Sequence, residues 1–245
     1  HAEGLREPTP CDFEVVKCLG KGSYGQVVLV KHREDDREKT YAMKVLDKEE
    51  MVQRQQVEHT MAEKRILQRI SHPFIVSLHF AFQTSRKLHL VLDYCAGGEL
   101  FFHLGRESTF TECRARFYAA EIALALQCLH RMLIIYRDLK PDNILLDAQG
   151  HIKLVDFGLS KEGVADDHSA KTLCGTPEYC APEVVAKKGS GRAADWYALG
   201  AIVFEMLIGL PPFYSEDPKA MMIAKREGRL DMPGAVSAVA GGFIQ

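Results

Sequence analysis

The sequence lacks the cysteine, hydropathy and leader patterns of several protein classes. Its seven cysteines include no Cys-x-x-Cys pair and no spacing to histidine that suits zinc. We therefore expect a reducing intracellular compartment, most simply the cytoplasm, with the nucleus also open. The longest apolar helix candidate, 196–210, is too short to cross a bilayer and contains Glu205. We expect no transmembrane segment, and no signal peptide because a basic region followed by an apolar run is missing.

The sequence also lacks an excess of charge of one sign. It has 31 Lys and Arg residues and 33 Asp and Glu residues, which gives a net charge of −2. Because nucleic-acid binders usually have a basic excess, we expect no nucleic-acid partner. With 245 residues, 47% of them hydrophobic, the chain can form one large domain or two lobes.

Apolar periodicity divides the chain into two parts. Short-period alternation predicts a β-rich N-terminal part with one helix, and Gly97-Gly98 mark a turn or linker. The rest is mainly helical, which predicts lobes at 1–95 and 96–245. The predicted strands are 13–19, 26–30, 40–46, 75–82 and 88–92, and the clearest helices are 57–70 and 111–132.

A glycine-rich segment, 20–27, contains Gly20, Gly22 and Gly25 in a G-x-G-x-x-G pattern. Glycine lets the backbone turn sharply and approach phosphates closely. In a Rossmann dinucleotide loop the last glycine opens a helix, but here a strand pattern follows. The segment is therefore either a plain hairpin turn or a lid over a nucleotide.

Two further sets of polar residues suit phosphoryl transfer. Lys44 lies in an apolar strand and could hold phosphates, with Glu63 on the next helix as its partner. Segments 136–143 and 156–158 together supply carboxylates, an amide and a lysine. Phosphoryl transfer needs a group that accepts the hydroxyl proton, ligands for a hard cation and positive charge near the phosphate.

These motifs, in this order, resemble the catalytic domain of eukaryotic protein kinases over nearly the whole chain. Tyr136 before Arg137-Asp138, segment 174–179 and Asp195-Trp196 resemble the AGC group. Segments 97–104, 156–163 and 191–193 resemble the protein kinase B (Akt), S6 and SGK kinases. The resemblance implies an α+β, bilobal fold with a small antiparallel β-sheet lobe that binds ATP and a larger helical catalytic lobe.

The resemblance also implies roles in ATP and Mg²⁺ binding. Asp138 orients the attacking hydroxyl, Lys140 stabilises the γ-phosphate, and Lys44 pairs with Glu63 while holding the α- and β-phosphates. Asn143 and Asp156 bind Mg²⁺. Nucleotide contacts fall on the glycine-rich segment, the hinge, the adenine pocket and the ribose site: Leu19, Gly20, Lys21, Gly22, Ser23, Tyr24, Gly25, Val27, Ala42, Leu92, Asp93, Cys95, Glu99 and Leu145.

Substrate and regulation follow from the same resemblance. Thr176 and Lys140 match serine/threonine kinases, and Glu99, Asp142 and Glu205 match positions that receive Arg upstream of the acceptor. Protein substrates with basic residues near Ser or Thr are expected. Thr172 is the expected site of an activating phosphate added by an upstream kinase, and its expected partners are His59, Arg137 and Lys161.

The C-terminal residues depart from the resemblance. After Pro233 the sequence is rich in Ala and Gly, and no downstream Arg can pair with Glu183. We expect a C-terminally truncated large lobe, either a fragment of a longer kinase, a trimmed chain or a degenerate kinase. The alternatives to an active kinase are an impaired kinase-fold scaffold or inactive fragment and, from another class, a Rossmann oxidoreductase.

Overall fold

Alternating apolar side chains build the sheet of the first of two units in this computed structural model. The structure describes residues 8–22, 25–34, 39–164, 174–228, 230, 234 and 236–244. The first unit takes residues up to 72 together with 76–96, and the second takes 73–75 and the residues from 97 onward. The strands of the first unit are β1 (Phe13–Gly22), β2 (Gly25–His32), β3 (Thr40–Asp47), β4 (Leu78–Gln83) and β5 (Lys87–Asp93).

The strands run in the order β1-β2-β3-β5-β4, and each neighbouring pair is antiparallel. Along β3 the side chains of Tyr41, Met43 and Val45 are buried, as the two-residue period of a strand requires. They pack with Phe13 and Phe82 in one apolar cluster. Helices α1 (Lys48–Gln53) and α2 (Val57–Arg69) complete the unit after a short 3-10 helix at Pro10–Asp12.

The second unit is mainly helical. Its helices are α3 (Leu100–Glu107), α4 (Glu112–Arg131), a 3-10 helix at Pro141–Asn143, α5 (Pro182–Val185), α6 (Arg192–Ile208), α7 (Pro218–Glu227) and α8 (Ala238–Ile244). Strands β6 (Gly98–Glu99), β7 (Ile144–Leu146) and β8 (Ile152–Leu154) form a small antiparallel sheet.

The core of the second unit lies where α4 packs on α6. Ile122, Leu126 and Leu129 of α4 are fully buried at helical spacing, as are Ile202 and Met206 of α6. Thr111 begins α4, because its hydroxyl accepts a hydrogen bond from the Arg114 N–H at 3.4 Å. No helix among the described residues is long and apolar enough to cross a membrane.

The predicted fold class is confirmed, with local differences. The strand expected from residue 75 begins only at Leu78, because Ile75 forms a bridge with Leu154 instead. Helix α1 was not predicted, and α6 begins at Arg192 rather than at residue 196. The Asp47 side chain accepts hydrogen bonds from two backbone N–H groups of α1, which stabilises the start of this short helix.

Candidate active site

Strand β3 and helix α2 bring a lysine and a glutamate together in the first unit. Because Met43 and Val45 point into the core, Lys44 lies on the opposite face of β3. Its Nζ lies 2.8 Å from Oε2 and 3.1 Å from Oε1 of Glu63. The Glu63 side chain is only 4% exposed, so water screens this ion pair less than a surface pair. The ammonium is thus held in one position.

The described part of the glycine-rich segment lies at the end of β1 and the start of β2, where Gly22 is opposite Gly25. A Cβ on Gly25 would collide with the carbonyl oxygen of Val45, so the close approach of β3 requires glycine there. A Cβ on Gly20 would meet nothing within 4 Å, which leaves room for a ligand next to the backbone. Of the other predicted members, Leu19 and Lys21 are exposed, and Ser23 and Tyr24 lie outside the described residues.

The predicted adenine contacts of the first unit lie on neighbouring strands. In the sheet register, Val27 is opposite Lys44 and Ala42 is opposite Leu92. Asp93 ends β5, where its carboxylate accepts from the Ser77 N–H at 3.0 Å and contacts His79 at 2.7 Å. That side chain therefore secures the end of the strand. Cys95 is buried in the same unit, whereas Leu145 lies half-buried on β7 of the second unit, opposite Glu99.

The loop before β7 gathers the predicted catalytic side chains of the second unit. Nδ2 of Asn143 donates to the Asp138 carboxylate at 3.0 Å, and Nζ of Lys140 lies 3.3 Å from the same oxygen. The Thr176 hydroxyl donates to the other Asp138 oxygen at 3.0 Å and accepts from Lys140 at 3.0 Å. Three side chains therefore hold the Asp138 carboxylate, and one of them is the Lys140 ammonium.

Asp195, a residue for which the sequence analysis gave no catalytic role, anchors this loop. It is 1% exposed in the first turn of α6. Its two oxygens accept the backbone N–H groups of Tyr136 and Arg137, each at 2.9 Å, and Oδ2 also accepts from His130 Nε2 at 2.7 Å. Arg137 has φ of +70°, a left-handed conformation that costs a non-glycine residue energy. The bonds to Asp195 compensate for that cost.

Asp156 lies beside the same loop, because the Val155 N–H donates to the Asn143 carbonyl at 3.1 Å. It also has a left-handed backbone, with φ of +58°, and its Oδ1 accepts from the Gly158 N–H at 3.2 Å. Phe157 is fully buried, and its ring packs edge-on against Tyr136 at 5.2 Å. The Asp156 carboxylate is therefore left exposed at the edge of the loop.

The donor atoms of Asn143 and Asp156 fit a hard cation such as Mg²⁺. Asp138 occupies the amide nitrogen of Asn143, so its amide oxygen is the atom available to a metal. Magnesium prefers carboxylate and carbonyl oxygens and keeps several waters. The described residues contain no group of three or more His, Cys, Asp and Glu that could hold a metal. Asn143 and Asp156 therefore stay predicted metal ligands.

The predicted substrate carboxylates differ in their surroundings. Glu99 is exposed before α3, and Asp142 is exposed in the 3-10 helix. Glu205 is buried and accepts from the Tyr179 hydroxyl at 2.7 Å. Burial raises the pKa of Glu205, the Tyr179 hydrogen bond opposes this, and the charges of Asp142 and Glu178 raise the pKa further. Asp142, Glu178 and Glu205 therefore form one acidic cluster, of which Glu178 was not predicted.

Of the predicted regulatory residues, Thr172 lies outside the described part of the chain. Nε of Arg137 donates to the Leu159 carbonyl at 2.6 Å, and its buried Nη1 has no hydrogen-bond partner among the described residues. Lys161 pairs through its backbone with Ile135, in both directions at 3.0 Å. Arg137 and Lys161 thus stand on adjacent segments. His59, on α2, contacts the Gln56 side chain at 3.1 Å.

The first unit has an antiparallel five-stranded sheet with a lysine–glutamate pair. The second is helical and has an aspartate, a lysine and an asparagine on one loop. This combination is typical of the two-lobed kinase folds. The chain belongs to the protein kinase domain family, whose sequence model matches residues 13–236.

Several named proteins to which the chain is similar are serine/threonine-protein kinases. The chain is 52% identical to human serine/threonine-protein kinase Sgk2 over 96% of its own length and 64% of the relative's. It is 55% identical to Danio rerio serine/threonine-protein kinase Sgk1, over 86% and 49%. It is 53% identical to Dictyostelium discoideum protein kinase 2, over 100% and 50%. The chain therefore spans about half to two thirds of the length of these relatives.

Proposed function

We propose that this chain is the catalytic part of a serine/threonine-protein kinase that transfers the γ-phosphoryl group of ATP to a Ser or Thr hydroxyl. The observation that carries the proposal is the network in which Asn143, Lys140 and Thr176 fix the Asp138 carboxylate. Phosphoryl transfer depends mainly on positioning and on charge stabilisation, and this network provides both.

The reaction forms a bond from the substrate hydroxyl oxygen to the γ-phosphorus of ATP. The bond from that phosphorus to the oxygen bridging it to the β-phosphate breaks, so ADP leaves with the bonding electrons. Asp138 orients the hydroxyl and accepts its proton. Lys140, 3.3 Å from Asp138, stabilises the negative charge on the transferred group. The Thr176 hydroxyl bonds to both Asp138 and Lys140, so it keeps these two side chains in place next to the position of the substrate hydroxyl.

Nucleotide binding is assigned to residues of both units. Lys44, held by Glu63, contacts the α- and β-phosphates, and the hairpin with Gly20 and Gly22 covers them. Val27, Ala42 and Leu145 contact the adenine, and Glu99 contacts the ribose. The backbone from Asp93 to Cys95 forms the hinge, and Leu92 guards the back of the pocket. Asn143 and Asp156 hold Mg²⁺, which neutralises phosphate charge when bound.

The substrate class is assigned to the acidic residues near the catalytic loop. Glu99 and the cluster of Asp142, Glu178 and Glu205 favour peptides with Arg upstream of the acceptor, because a carboxylate binds a guanidinium through two charge-assisted hydrogen bonds. The exposed Asp142 supports this assignment most directly.

Activation is assigned to phosphorylation of Thr172 by an upstream kinase. The support comes from Arg137, whose buried Nη1 has no partner among the described residues, since such a donor suits a phosphate oxygen. Lys161 on the adjacent segment and His59 on α2 are the other proposed partners.

All seven cysteines are described and none forms a disulfide, which favours a reducing compartment such as the cytoplasm or nucleus.

The test is transfer from Mg·ATP to a Ser peptide with upstream Arg and to the same peptide with Ala in place of Arg. We expect transfer to the Arg peptide only. Asp156→Asn should lower kcat by at least about a hundredfold, the scale of one lost electrostatic contact in a transition state. It should still fold, because an Asn oxygen can also accept from the Gly158 N–H.

The matched control is Asp217→Asn. Asp217 begins α7 by accepting from the Lys219 N–H at 2.9 Å, and Asn begins helices equally well. Near-normal turnover of Asp156→Asn would refute the metal assignment. Nucleotide binding without transfer in a chain phosphorylated on Thr172 would indicate a kinase-fold scaffold instead. Equal transfer to both peptides would refute the Arg preference.

A further inference from the structure

Helix α7 buries a lysine that the proposed chemistry does not use. Lys225 lies in the last turn of α7 and is 1% exposed. Its Nζ donates to three backbone carbonyls: Pro177 at 2.7 Å, Glu178 at 2.6 Å and Cys180 at 3.1 Å. An ammonium has three N–H donors, so each of them has a partner.

Local structure explains how Lys225 reaches this segment. Pro218 and the Asp217 side chain fix the start of α7, and Gly228, with φ of +67°, ends it. Met221 and Lys225 are the buried residues of the helix, one turn apart on the face that packs near α5. The lysine thus extends from a rigid helix into the loop that precedes α5.

The burial of this charge needs a compensating contact. A buried ammonium without a partner is costly, and Lys225 has no carboxylate within ion-pair distance among the described residues. Burial lowers the pKa of Lys225 to about 8, while Cys180 and Glu178 act in the opposite direction. Its Nζ also lies 5.7 Å from the ring centre of Tyr197. The three carbonyls supply the main compensation.

The same three carbonyls depend on Lys225. Within the described part of the chain, their hydrogen bonds come from its Nζ. The N–H groups of Tyr179 and Cys180 both bond to the Thr176 carbonyl, at 3.0 and 3.2 Å. Segment 177–180 is therefore a tight turn whose inward oxygens converge on one ammonium.

This turn joins the two sides of the proposed substrate site. At one end, the Thr176 side chain bonds to Asp138 and Lys140. Within the turn, Tyr179 donates to Glu205, and Glu178 belongs to the acidic cluster. A shift of the turn would move the acidic cluster and the catalytic carboxylate relative to each other.

We propose that Lys225 is a positioning residue that sets the affinity of the site for its peptide substrate by holding segment 177–180. The inference deepens the proposed function and rests on it for the identity of the ligand, a basic Ser/Thr peptide. Lys225 does not touch the reacting atoms, so it should affect peptide binding more than nucleotide binding.

The test compares Lys225→Met with Lys219→Met, which removes the same charge from an exposed position of the same helix. Hydrogen exchange of the Tyr179 and Cys180 amides should become at least about tenfold faster in Lys225→Met and stay unchanged in Lys219→Met. The dissociation constant of a fluorescent Arg-rich Ser peptide and its KM should rise roughly ten- to a hundredfold, the scale of a small misplacement of a binding group. The KM for ATP should stay within about twofold.

A second variant keeps the test decisive where Lys225→Met does not fold. Lys225→Gln keeps an NH₂ group that can reach part of the carbonyl set, so it should give an intermediate rise in peptide KM and exchange rate. Unchanged exchange and unchanged peptide affinity in the folded variant would overturn the inference while leaving the kinase proposal intact. Conversely, a wild-type chain phosphorylated on Thr172 that transfers no phosphate would refute the kinase proposal. Peptide binding and exchange would then still decide the role of Lys225.

Discussion

Asp195 is not among the residues proposed to touch a substrate, but its hydrogen bonds position the loop that carries Asp138. Its carboxylate receives the N–H groups of Tyr136 and Arg137 together with His130, all inside the core. Position in the first turn of α6 adds the positive end of the helix dipole. The loop before β7, which carries Asp138, is therefore bonded to a helix that packs against α4.

We predict that Asp195→Asn folds less stably and turns over much more slowly. The amide can still accept one N–H, but its NH₂ group faces another donor, so one charge-assisted bond is lost at a cost of about 1.5–3 kcal/mol. A displaced Asp138 should lower kcat at least about tenfold. Urea denaturation and steady-state kinetics measure the two effects. Asp217→Asn serves as the control, and equal kcat values for the two variants would contradict the positioning role.

Single residues differ in how well the sequence predicts them. Lys44, Asp138, Asn143 and Asp156 lie in short motifs that, in their order along the chain, resemble those of protein kinases, so they could be proposed without coordinates. Asp195 acts on residues 58 and 59 positions earlier in the chain, and no local pattern encodes that contact. A carboxylate at the start of a strongly apolar helix was the available signal. The left-handed backbones at Arg137 and Asp156 are likewise set by tertiary contacts.

At the scale of elements, sequence periodicity located each strand of the first unit but not each boundary. The predicted strand 40–46 corresponds to β3, where Tyr41, Met43 and Val45 are buried at the two-residue period of a strand. The periodicity failed for β4, where the apolar Ile75 pairs with Leu154 of β8 and not with the sheet. Apolar runs alone do not distinguish these partners. Lys225 was missed because an isolated lysine on a helix usually lies in solvent.

The same sheet contains a stack of aromatic rings that includes a buried histidine. His89 of β5 is buried, packs face to face on Phe82 at 4.8 Å, and neither ring nitrogen has a hydrogen-bond partner among the described residues. Phe82 in turn stacks on Phe13 at 5.6 Å. Burial, and to a smaller extent the charge of Lys87, lowers the pKa of His89. The folded state therefore holds this imidazole neutral.

We predict that the first unit loses stability as pH falls below 6.5, the ordinary pKa of histidine. Below that value the unfolded chain takes up a proton that folded His89 refuses, so the free energy of unfolding drops by up to about 1.4 kcal/mol per pH unit until its lowered folded pKa is reached. His89→Leu should flatten this dependence. Hydrogen exchange of the β5 amides at pH 7.5, 6.5 and 5.5, corrected for intrinsic rates, measures it.

His151 provides a control of opposite sign in the second unit. Its hydrogen bond to Glu121, at 2.6 Å, raises its pKa. The stability it contributes is fully present below pH 6.5 and is lost as pH rises through the raised value. His151→Gln should therefore leave the acid loss in β5 unchanged. An acid loss that persists in His89→Leu would show that another group causes it.

At the scale of the whole molecule, the two units have different internal structures but are assigned to one nucleotide. The proposed nucleotide contacts include Lys44 of the first unit, whose partner Glu63 is buried, and Asp156 and Asn143 of the second. A ligand that binds only the folded chain stabilises it by mass action, by about 2.7 kcal/mol at a hundred times its dissociation constant. For a chain of this size that corresponds to a rise in Tm of roughly 5–10 °C.

We predict that Mg·ATP produces this rise and that removing the metal with EDTA abolishes most of it. Lys44→Met should lose the shift because the phosphates lose their cation. Asp156→Asn should lose the part that depends on Mg²⁺ and keep the part given by ATP alone. The matched controls are Lys17→Met, an exposed lysine of β1, and Asp217→Asn, and both should respond as the wild-type chain does. A full Mg²⁺-dependent shift in Asp156→Asn would contradict its role as a ligand, and a full shift in Lys44→Met would remove the first unit from the proposed nucleotide site.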